Sequence, residues 1–422
     1  MECKWILPPQ PDPVLVSEIA RRNGIHSAVA SVLASRGFDA DASEIHLNPS
    51  LANLHDPFAM KGMEKVVQRI LKAMSEGERI LVYGDYDVDG IAGGALLYRF
   101  FKAHNHPVEF YIPDRLEEGY GLSAGGVEFA KKNGATLLIT VDCGISDFDE
   151  VKMAGENGID VIITDHHEAT SELPPAHTIL NPKCEGETYP FPDLSGCGVA
   201  FKLRQGLSTR LGESAKESLT DLDLVALATV CDIVPLVGEN RILAKFGIDL
   251  LSDSSRPGIA ALKDVAGLKE KQLSAYHLGF VLGPRLNAAG RIASPVDAFK
   301  LLVTDDPDEA GELASKLNAA NARRKELHET IADEATRMVE QEMDLANTAG
   351  IVLAADGWHE GVIGIVASKI VERFHRPTII VSIDGECGKG SGRSVRNLNL
   401  YGVLEQCKDL LKSFGGHEQA AG

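Results

Sequence analysis

Three aspartates at alternate positions, Asp85, Asp87 and Asp89, close the stretch RILVYGDYDVDG that runs from Arg79 to Gly90. Carboxylates packed this closely repel one another unless cations sit between them. The run Ile80-Leu81-Val82-Tyr83 before them is short, apolar and β-prone, the pattern of a buried parallel strand. Gly84 ends it, and a Gly- and Ala-rich helix start closes the cluster (Gly90-Ile91-Ala92-Gly93-Gly94-Ala95). In open α/β sheets ligands bind beyond the carboxyl ends of strands. The stretch therefore reads as a metal site. A solvated turn, or aspartates that only cap the helix, would explain the charges but not the apolar strand running into them.

The elements that must position this turn alternate. Strands are expected at 79–84, 108–112, 136–142 and 160–165, and helices at 91–103, 123–132 and 146–157. Such alternation with short connections argues for a parallel sheet covered on both faces. Two further strands also end in polar ligands: Leu137 to Val141 runs into Asp142-Cys143-Gly144, and Val161 to Thr164 into Asp165-His166-His167. Three strand ends on one edge bring sequence-distant groups into one crevice. Singly, Asp142 could be a turn residue, and the His pair one core and one solvent histidine. An apolar helix over about 219–231 ends at Asp232, where a carboxylate opposes the helix dipole and favours a compensating cation. Cys143 and Cys231 flank these positions and read as small packing groups. Asp, Asp, Asp, His and Asp on one rim suit two divalent cations, manganese or, with more water, magnesium. Two such cations point to phosphoester hydrolysis.

The rest of the chain divides into a helical lead-in at 1–75, a catalytic α/β domain at 76–300, a connecting long helix (one, or two with a break) at 301–345 and a smaller α/β domain at 346–422. Pro8, Pro9, Pro11 and Pro13 break the start. Residues 283–291, GPRLNAAGR, look like a loop carrying Arg285 and Arg291. In the last domain, strand 350–355, helix 362–374 and strand 378–383 lead to a Gly/Ser loop at 388–394, a helix at 400–412 and Gly415-Gly416-His417. Small residues beside Ser391, Arg393 and His417 would let backbone N–H groups approach an anion, with Arg285 and Arg291 adding charge; flexible turns are the alternative. Arg115 and Tyr120 follow the second strand, where one could hold a phosphate and the other stack on a base.

Composition sets limits. The chain has 422 residues, 44% of them hydrophobic, enough for two or three cored domains. It shows no signal peptide and no run long and apolar enough to span a bilayer. None of the seven cysteines forms a CxxC pair, which suggests reducing cytoplasm and argues against a zinc ribbon. A net charge of −19 argues against a general nucleic-acid coat but not against an enzyme with a local basic groove.

These pieces together resemble the DHH phosphoesterase family and, within it, the RecJ single-strand-specific 5′ exonucleases. GDYDVDG (84–90), VDCG (141–144), TDHH (164–167) and CDIVP (231–235) are similar to the family's metal motifs, and SGR (391–393) and GGHEQAAG (415–422) to its DHHA1-type domain. The resemblance implies Asp85, Asp87, Asp142, His166 and Asp232 as ligands of two Mn2+ or Mg2+ ions, with Asp142 the bridge. It implies His167 at the scissile phosphate, and Arg115, Tyr120, Arg285, Arg291, Ser391, Arg393, Gly415, Gly416 and His417 on the strand or its 5′ end. Single-stranded DNA would be the substrate, degraded to 5′-mononucleotides in repair and recombination. A helicase and a single-strand-binding protein would be the candidate partners. RecJ proteins usually continue past GGHxxAAG into an OB fold, and this sequence stops at Gly422, so weaker strand binding is expected. The alternatives are a DHH phosphodiesterase of short oligonucleotides or cyclic dinucleotides, and a non-catalytic DNA-binding scaffold.

Overall fold

The architecture is that of a computed structural model describing residues 9–115, 117–169 and 172–422. Cys3 and Pro8 lie outside the described residues. The first sheet contains β1 (Arg79–Gly84), β2 (Val108–Tyr111), β3 (Ala135–Val141), β4 (Asp160–Thr164) and β5 (Thr178–Leu180). All are parallel, in the order β2-β1-β3-β4-β5. Alternation of side chains divides each strand between two cores. Ile80, Val82, Leu137, Ile139 and Ile162 pack with Ile91 and Leu96 of the helix Val88–Ala103 and Phe201 of the helix Gly196–Leu211. Leu81, Tyr83, Leu138, Val161 and Ile163 pack with Val127 and Val151 on the other face. Each such fully buried side chain is worth about 1.5–3 kcal/mol, so both layers hold the sheet in register.

The turns at the strand ends depend on missing Cβ atoms. A Cβ on Gly90 would lie 2.4 Å from the Asp85 amide nitrogen, so the helix Val88–Ala103 folds back directly onto the end of β1. It starts three residues before the expected position 91, because Asp87 caps it, accepting from the N–H groups of Asp89 at 2.8 Å and Gly90 at 3.3 Å. A Cβ on Gly196 would lie 2.5 Å from that of Asp142, which puts the start of Gly196–Leu211 against the end of β3.

The N-terminal helices Pro13–Asn23, Ser27–Ser35 and Ala40–Leu47 have a small core of their own around Ile19, Ala30 and Leu33. The segment after them is tied to the first sheet's domain by a buried ion pair. Lys202 Nζ lies 2.5 Å from Glu239 Oε1, both side chains fully enclosed, and Glu239 also accepts from His55 N–H and the Tyr189 hydroxyl. Such a pair survives burial because its remaining valences are filled.

The connecting segment is a single unbroken helix, Pro307–Glu342, capped by Asp306. It leads to a second sheet of β6 (Ile351–Asp356), β7 (Thr378–Asp384), β8 (Cys387–Arg393) and β9 (Ala420–Ala421), in that order. β6 and β7 are parallel, and the remaining pairs antiparallel. The helix Glu360–Phe374 packs Val362, Val366 and Ile370 against Ile331, Ala335 and Val339 of the long helix.

Three sequence expectations change. Residues 388–394 are not a loop: most of them form β8, where Gly390 and Gly392 stand opposite Val381 and Ile379, and a Cβ on Gly392 would meet the Leu400 side chain at 2.7 Å. Residues 283–291 are not a loop either but lie in the helix Gly283–Ile292, with its proline at the tolerated N-terminal position. Their small residues permit close approach: a Cβ on Gly290 would lie 2.7 Å from the Tyr86 carbonyl oxygen. The last helix is Leu400–Gln406, shorter than 400–412, followed by a 3-10 turn at Lys408–Leu410.

Gly90→Ala should lower the melting temperature, at about the 1–3 kcal/mol of an overpacked site, and weaken Mn2+ binding through the displaced Asp85. Gly155→Ala, where nothing lies within 4 Å of the new methyl, should do neither. Equal melting temperatures for the two variants in differential scanning calorimetry would contradict the close approach at Gly90.

Candidate metal centre and cleft

The carboxyl ends of β1, β3 and β4 meet where the sequence places them. Asp85, Asp87 and Asp142 offer oxygen atoms within 4.8 Å of one another; Asp142, His166 and His167 offer ligand atoms equally close, as do Asp89, His166 and Asp232. His166 Nε2 is the hub, 3.1 Å from Asp142 Oδ1, 3.6 Å from Asp232 Oδ2 and 3.8 Å from Asp89 Oδ2. Asp142 is held in the left-handed region, φ 63°, which costs a non-glycine residue about 1 kcal/mol or more. Its N–H donates to the Thr164 carbonyl and its carbonyl accepts from the Tyr120 hydroxyl, both at 2.9 Å. Ile233, directly after Asp232, is also left-handed (φ 62°), so strain flanks the cluster on a second side.

Electrostatics follow from burial. Burial and the neighbouring Asp87 push the Asp85 carboxyl well up, and push Asp89 to about 7. Asp142 is pushed well up by burial and then by Asp89, Asp87, Asp85 and Asp232. Asp232 rises to about 9 through burial and then Asp89 and Asp87. His166 falls to about 4, through burial and then His167, so its ring is neutral and able to donate a lone pair. Asp85 Oδ1, Asp142 Oδ1, Asp232 Oδ2 and both ring nitrogens of His166 are buried without a hydrogen-bond partner. Orphaned oxygens and a neutral imidazole, crowded to the point of repulsion, fit divalent cations with oxygen and nitrogen ligands. Burial keeps the nearby thiols of Cys143, Cys197 and Cys231 protonated, which makes them packing groups rather than ligands.

Two aspartates carry more than the sequence assigns to them. Asp89 stands outside the expected ligand set, although it belongs to the same alternating run. Its Oδ2 accepts from Gly196 N–H at 2.6 Å and its Oδ1 from Cys197 N–H at 2.9 Å, so it also anchors the N-terminus of Gly196–Leu211. Asp165 accepts from the N–H groups of Ile145, His166 and His167 and lies 2.8 Å from His167 Nδ1. Burial works to lower the His167 pKa, but the bond to Asp165 overcomes it and holds the pKa above its ordinary value. Asp87 caps a helix and also faces the cluster, so the two sequence readings of it coexist.

A cleft of about 730 Å³ joins this centre to the second sheet. Asp165 and His167 line one wall. Arg115, Tyr120, Arg291, Ser391, Arg393, Gly415, Gly416 and His417 are among the residues that line the rest, with Glu168 and Glu360 also present. The Tyr120 hydroxyl lies 3.0 Å from His167 Nδ1, and the Arg115 guanidinium lies 5.0 Å from the centre of the Tyr86 ring. Burial, then the fields of Arg115, Arg324 and Arg393, lowers Arg291 to about 10, which marks a concentration of positive charge in an acidic chain. The two halves touch at Gly361, where a Cβ would lie 2.0 Å from the Arg291 carbonyl oxygen. Arg285 does not join this cleft. It bonds to Asn318 and to the Val281 carbonyl, because the helix Gly283–Ile292 turns it towards the long helix. Tyr86 lines the cleft unforeseen; its place between Asp85 and Asp87 is the available signal.

Comparison with known proteins identifies the two domains. Residues 79–229 match the DHH family, N-terminal domain, and residues 347–422 the DHHA1 domain. The chain is 45% identical to the single-stranded-DNA-specific exonuclease RecJ of Bacillus subtilis, over 98% of this chain and 52% of that protein. A crystal structure of exonuclease RecJ bound to manganese superposes with a TM-score of 0.77 and 37% identity, over 88% of this chain and 91% of that one. The chain belongs to the RecJ family. RecJ of Thermus thermophilus, solved in complex with Mn2+, superposes with a TM-score of 0.84 at 33% identity, over 98% of this chain and 58% of that chain. The sequence thus spans about half the length of the Bacillus subtilis RecJ. No helix among the described residues is long and apolar enough to cross a membrane.

The raised carboxyls fix a sign for the pH dependence of the metal-free protein. Asp232 keeps its proton up to about 9 when folded, whereas an unfolded carboxyl has lost it above the ordinary 3.8. Its contribution is present at low pH and is lost as pH rises through the folded pKa; raised His167 acts in the same direction. Lowered His166 acts oppositely, but only below its ordinary 6.5. Above about pH 7 the melting temperature of the chelator-treated protein should therefore fall with rising pH, and saturating Mn2+ should flatten the slope. A melting temperature that rises over that range without metal would contradict the crowding of protonated carboxyls.

Proposed function

We propose that this chain is a metal-dependent 5′→3′ exonuclease that degrades single-stranded DNA to 5′-mononucleotides. The observation that carries the reading is that one cleft holds both His167, at the edge of the carboxylate centre, and the arginines 115, 291 and 393. A backbone phosphate at His167 would place neighbouring phosphates among the guanidiniums. Asp85, Asp87, Asp142, His166 and Asp232 would hold two Mn2+ or Mg2+ ions, with Asp89 beside His166 and Asp232. When bound, such ions supply Lewis acidity and a nucleophile at neutral pH.

The chain's own groups do the rest. Asp165 fixes the His167 ring through Nδ1 and favours its protonated form, so His167 Nε2 gives a proton to the leaving 3′ oxygen. Arg115, Arg291, Arg393, Ser391 and His417 take the 5′ end, with Gly415 and Gly416 leaving room for it. Tyr120 packs over His167 and limits the room there. Cleft walls from both domains would admit one strand and exclude duplex by width. The reaction would run in reducing cytoplasm, to which the free cysteines are suited, in repair and recombination. A helicase would supply the strand and a single-strand-binding protein would hold it.

The test is digestion of a long single-stranded oligonucleotide, labelled at either end, with Mn2+ and with duplex alongside. Mononucleotides should leave from the 5′ end of single strands alone, and Asp87→Ala should lower the rate by roughly 10³-fold or more, as loss of a metal centre does. Cleavage restricted to dinucleotides would instead assign a small-substrate phosphodiesterase, and binding without cleavage a scaffold.

Two further variants separate the roles. Arg393→Ala should raise KM roughly tenfold to hundredfold with a smaller change in kcat, the worth of one charge-assisted bond. Asp165→Asn should lower kcat by about 10–100-fold and shift the alkaline limb of the pH–rate profile downwards, because His167 loses the group that keeps it protonated. An unshifted limb would remove His167 from the proton transfer.

A further inference from the structure

The helix Val88–Ala103 has the metal centre at its N-terminus. At its other end, roughly 20 Å away at about 1.5 Å per residue, lies a second cavity of about 480 Å³. Three arginines from three elements line it: Arg99, Arg204 of the helix Gly196–Leu211, and Arg256, which precedes the helix Pro257–Val265. All three reach the Asp221 carboxylate: Arg256 Nη2 at 3.0 Å, Arg204 Nε at 3.2 Å and Arg99 Nε at 3.6 Å. Asp223 pairs with Arg256 alone, at 3.0 Å.

The carboxylates here already have partners. Glu213 is bound to the Ser208 hydroxyl and lies 2.9 Å from His104 Nε2; Glu217 accepts from Ser214; Asp305 is 3.6 Å from Arg99 and almost wholly in solvent. The guanidiniums are not satisfied. Arg204 Nη1 and Arg256 Nη1 are buried without an acceptor, and Arg99 Nε has only the Asp221 oxygen at 3.6 Å. The Arg204 and Arg256 side chains are 7% and 9% exposed. Arg99 is shared between Asp221 and Asp305, so the charges are matched, but Arg204 Nη1 and Arg256 Nη1 remain as two enclosed donors beside the cavity. Buried donors of this strength normally have acceptors, and the planar guanidinium fork matches phosphate oxygens.

We propose that this cavity is a second anion site, separate from the cleft, which takes a phosphate group between Arg99, Arg204 and Arg256. The group can come as free phosphate or on a mononucleotide. Asp221 stands at one end of the helix Leu222–Cys231 and Asp232 at its other, so an anion here draws the arginines from a residue whose helix ends at the metal centre. The proposal stands whether or not the cleft acts as a nuclease.

The experiment is calorimetric titration of the metal-free full chain with inorganic phosphate and, separately, with deoxyadenosine 5′-monophosphate. Arg99→Gln is the first variant, since Arg99 is 29% exposed and makes only long contacts. Arg204→Lys is the second; it keeps the charge facing Asp221 while removing Nη1. Both should weaken one phosphate-binding event at least about tenfold, the worth of a charge-assisted bond; Arg99→Gln should leave the melting temperature near that of the unchanged protein, whereas Arg204→Lys should lower it, since it also loses the bonds to the Glu217 carbonyl and the Thr220 hydroxyl. Arg393→Gln, in the cleft, should leave that event alone. Tighter binding of the nucleotide than of phosphate at this event assigns a nucleotide, and equal binding assigns the free anion. Phosphate binding that survives both cavity variants unchanged, or that is lost only in Arg393→Gln, overturns the proposal.

Discussion

Carboxylates that are both enclosed and mutually repelling set the terms for everything around them. Asp85, Asp89 and Asp142 are almost wholly buried, and each is pushed up by burial first and by its fellows second. No arrangement of apolar packing could relieve this, because the repulsion lies in the charges themselves. Backbone close approaches at Gly90 and Gly196, strain at Asp142 and Ile233, and the anchoring of a helix start on Asp89 all hold groups where they would otherwise separate. Such a site is costly in the metal-free chain and becomes favourable only with cations. That is why its construction draws on three strands and two helix termini rather than on one flexible loop.

The second sheet has the opposite character. It brings guanidiniums and bare backbone towards the same space, with Arg393 from β8 and Gly416 beside the partner strand β9. An acidic chain thereby keeps a positive wall opposite a negative centre. One cleft thus has walls of opposite sign, carboxylates that call for cations on one side and hydrogen-bond donors on the other.

Much of the first domain is legible in the sequence because β1, β3 and β4 are buried on both faces and so appear as apolar runs, each ending in residues of the carboxylate and histidine cluster. Asp85, Asp142 and His166 stand out for that reason. Asp89 does not, since nothing in an alternating DxDxD run says which carboxylate also meets a distant helix start. The stretches 283–291 and 388–394 depart from expectation for one common reason. Glycine and alanine signal flexibility when only local sequence is visible, yet here they mark helix-to-turn and strand-to-helix contacts closer than a Cβ permits. The misplacement of Arg285 has the same root, because a helix fixes which face each residue takes, and Arg285 falls on the face towards the long helix while Arg291 of the same helix falls on the cleft. Arg99, Arg204 and Arg256 leave no sequence signal at all, being ordinary residues, two on separate helices and one just before a third.

The contact between Gly361 and the Arg291 carbonyl joins the two domains at a second point, apart from the helix Pro307–Glu342. A body hinged at one point can gape; a body pinned at two cannot do so without shearing one of them. The opening of the cleft is therefore a gauge rather than a jaw. A side chain at position 361 would have to push the two domains apart at this contact while leaving every charged residue of the cleft in place.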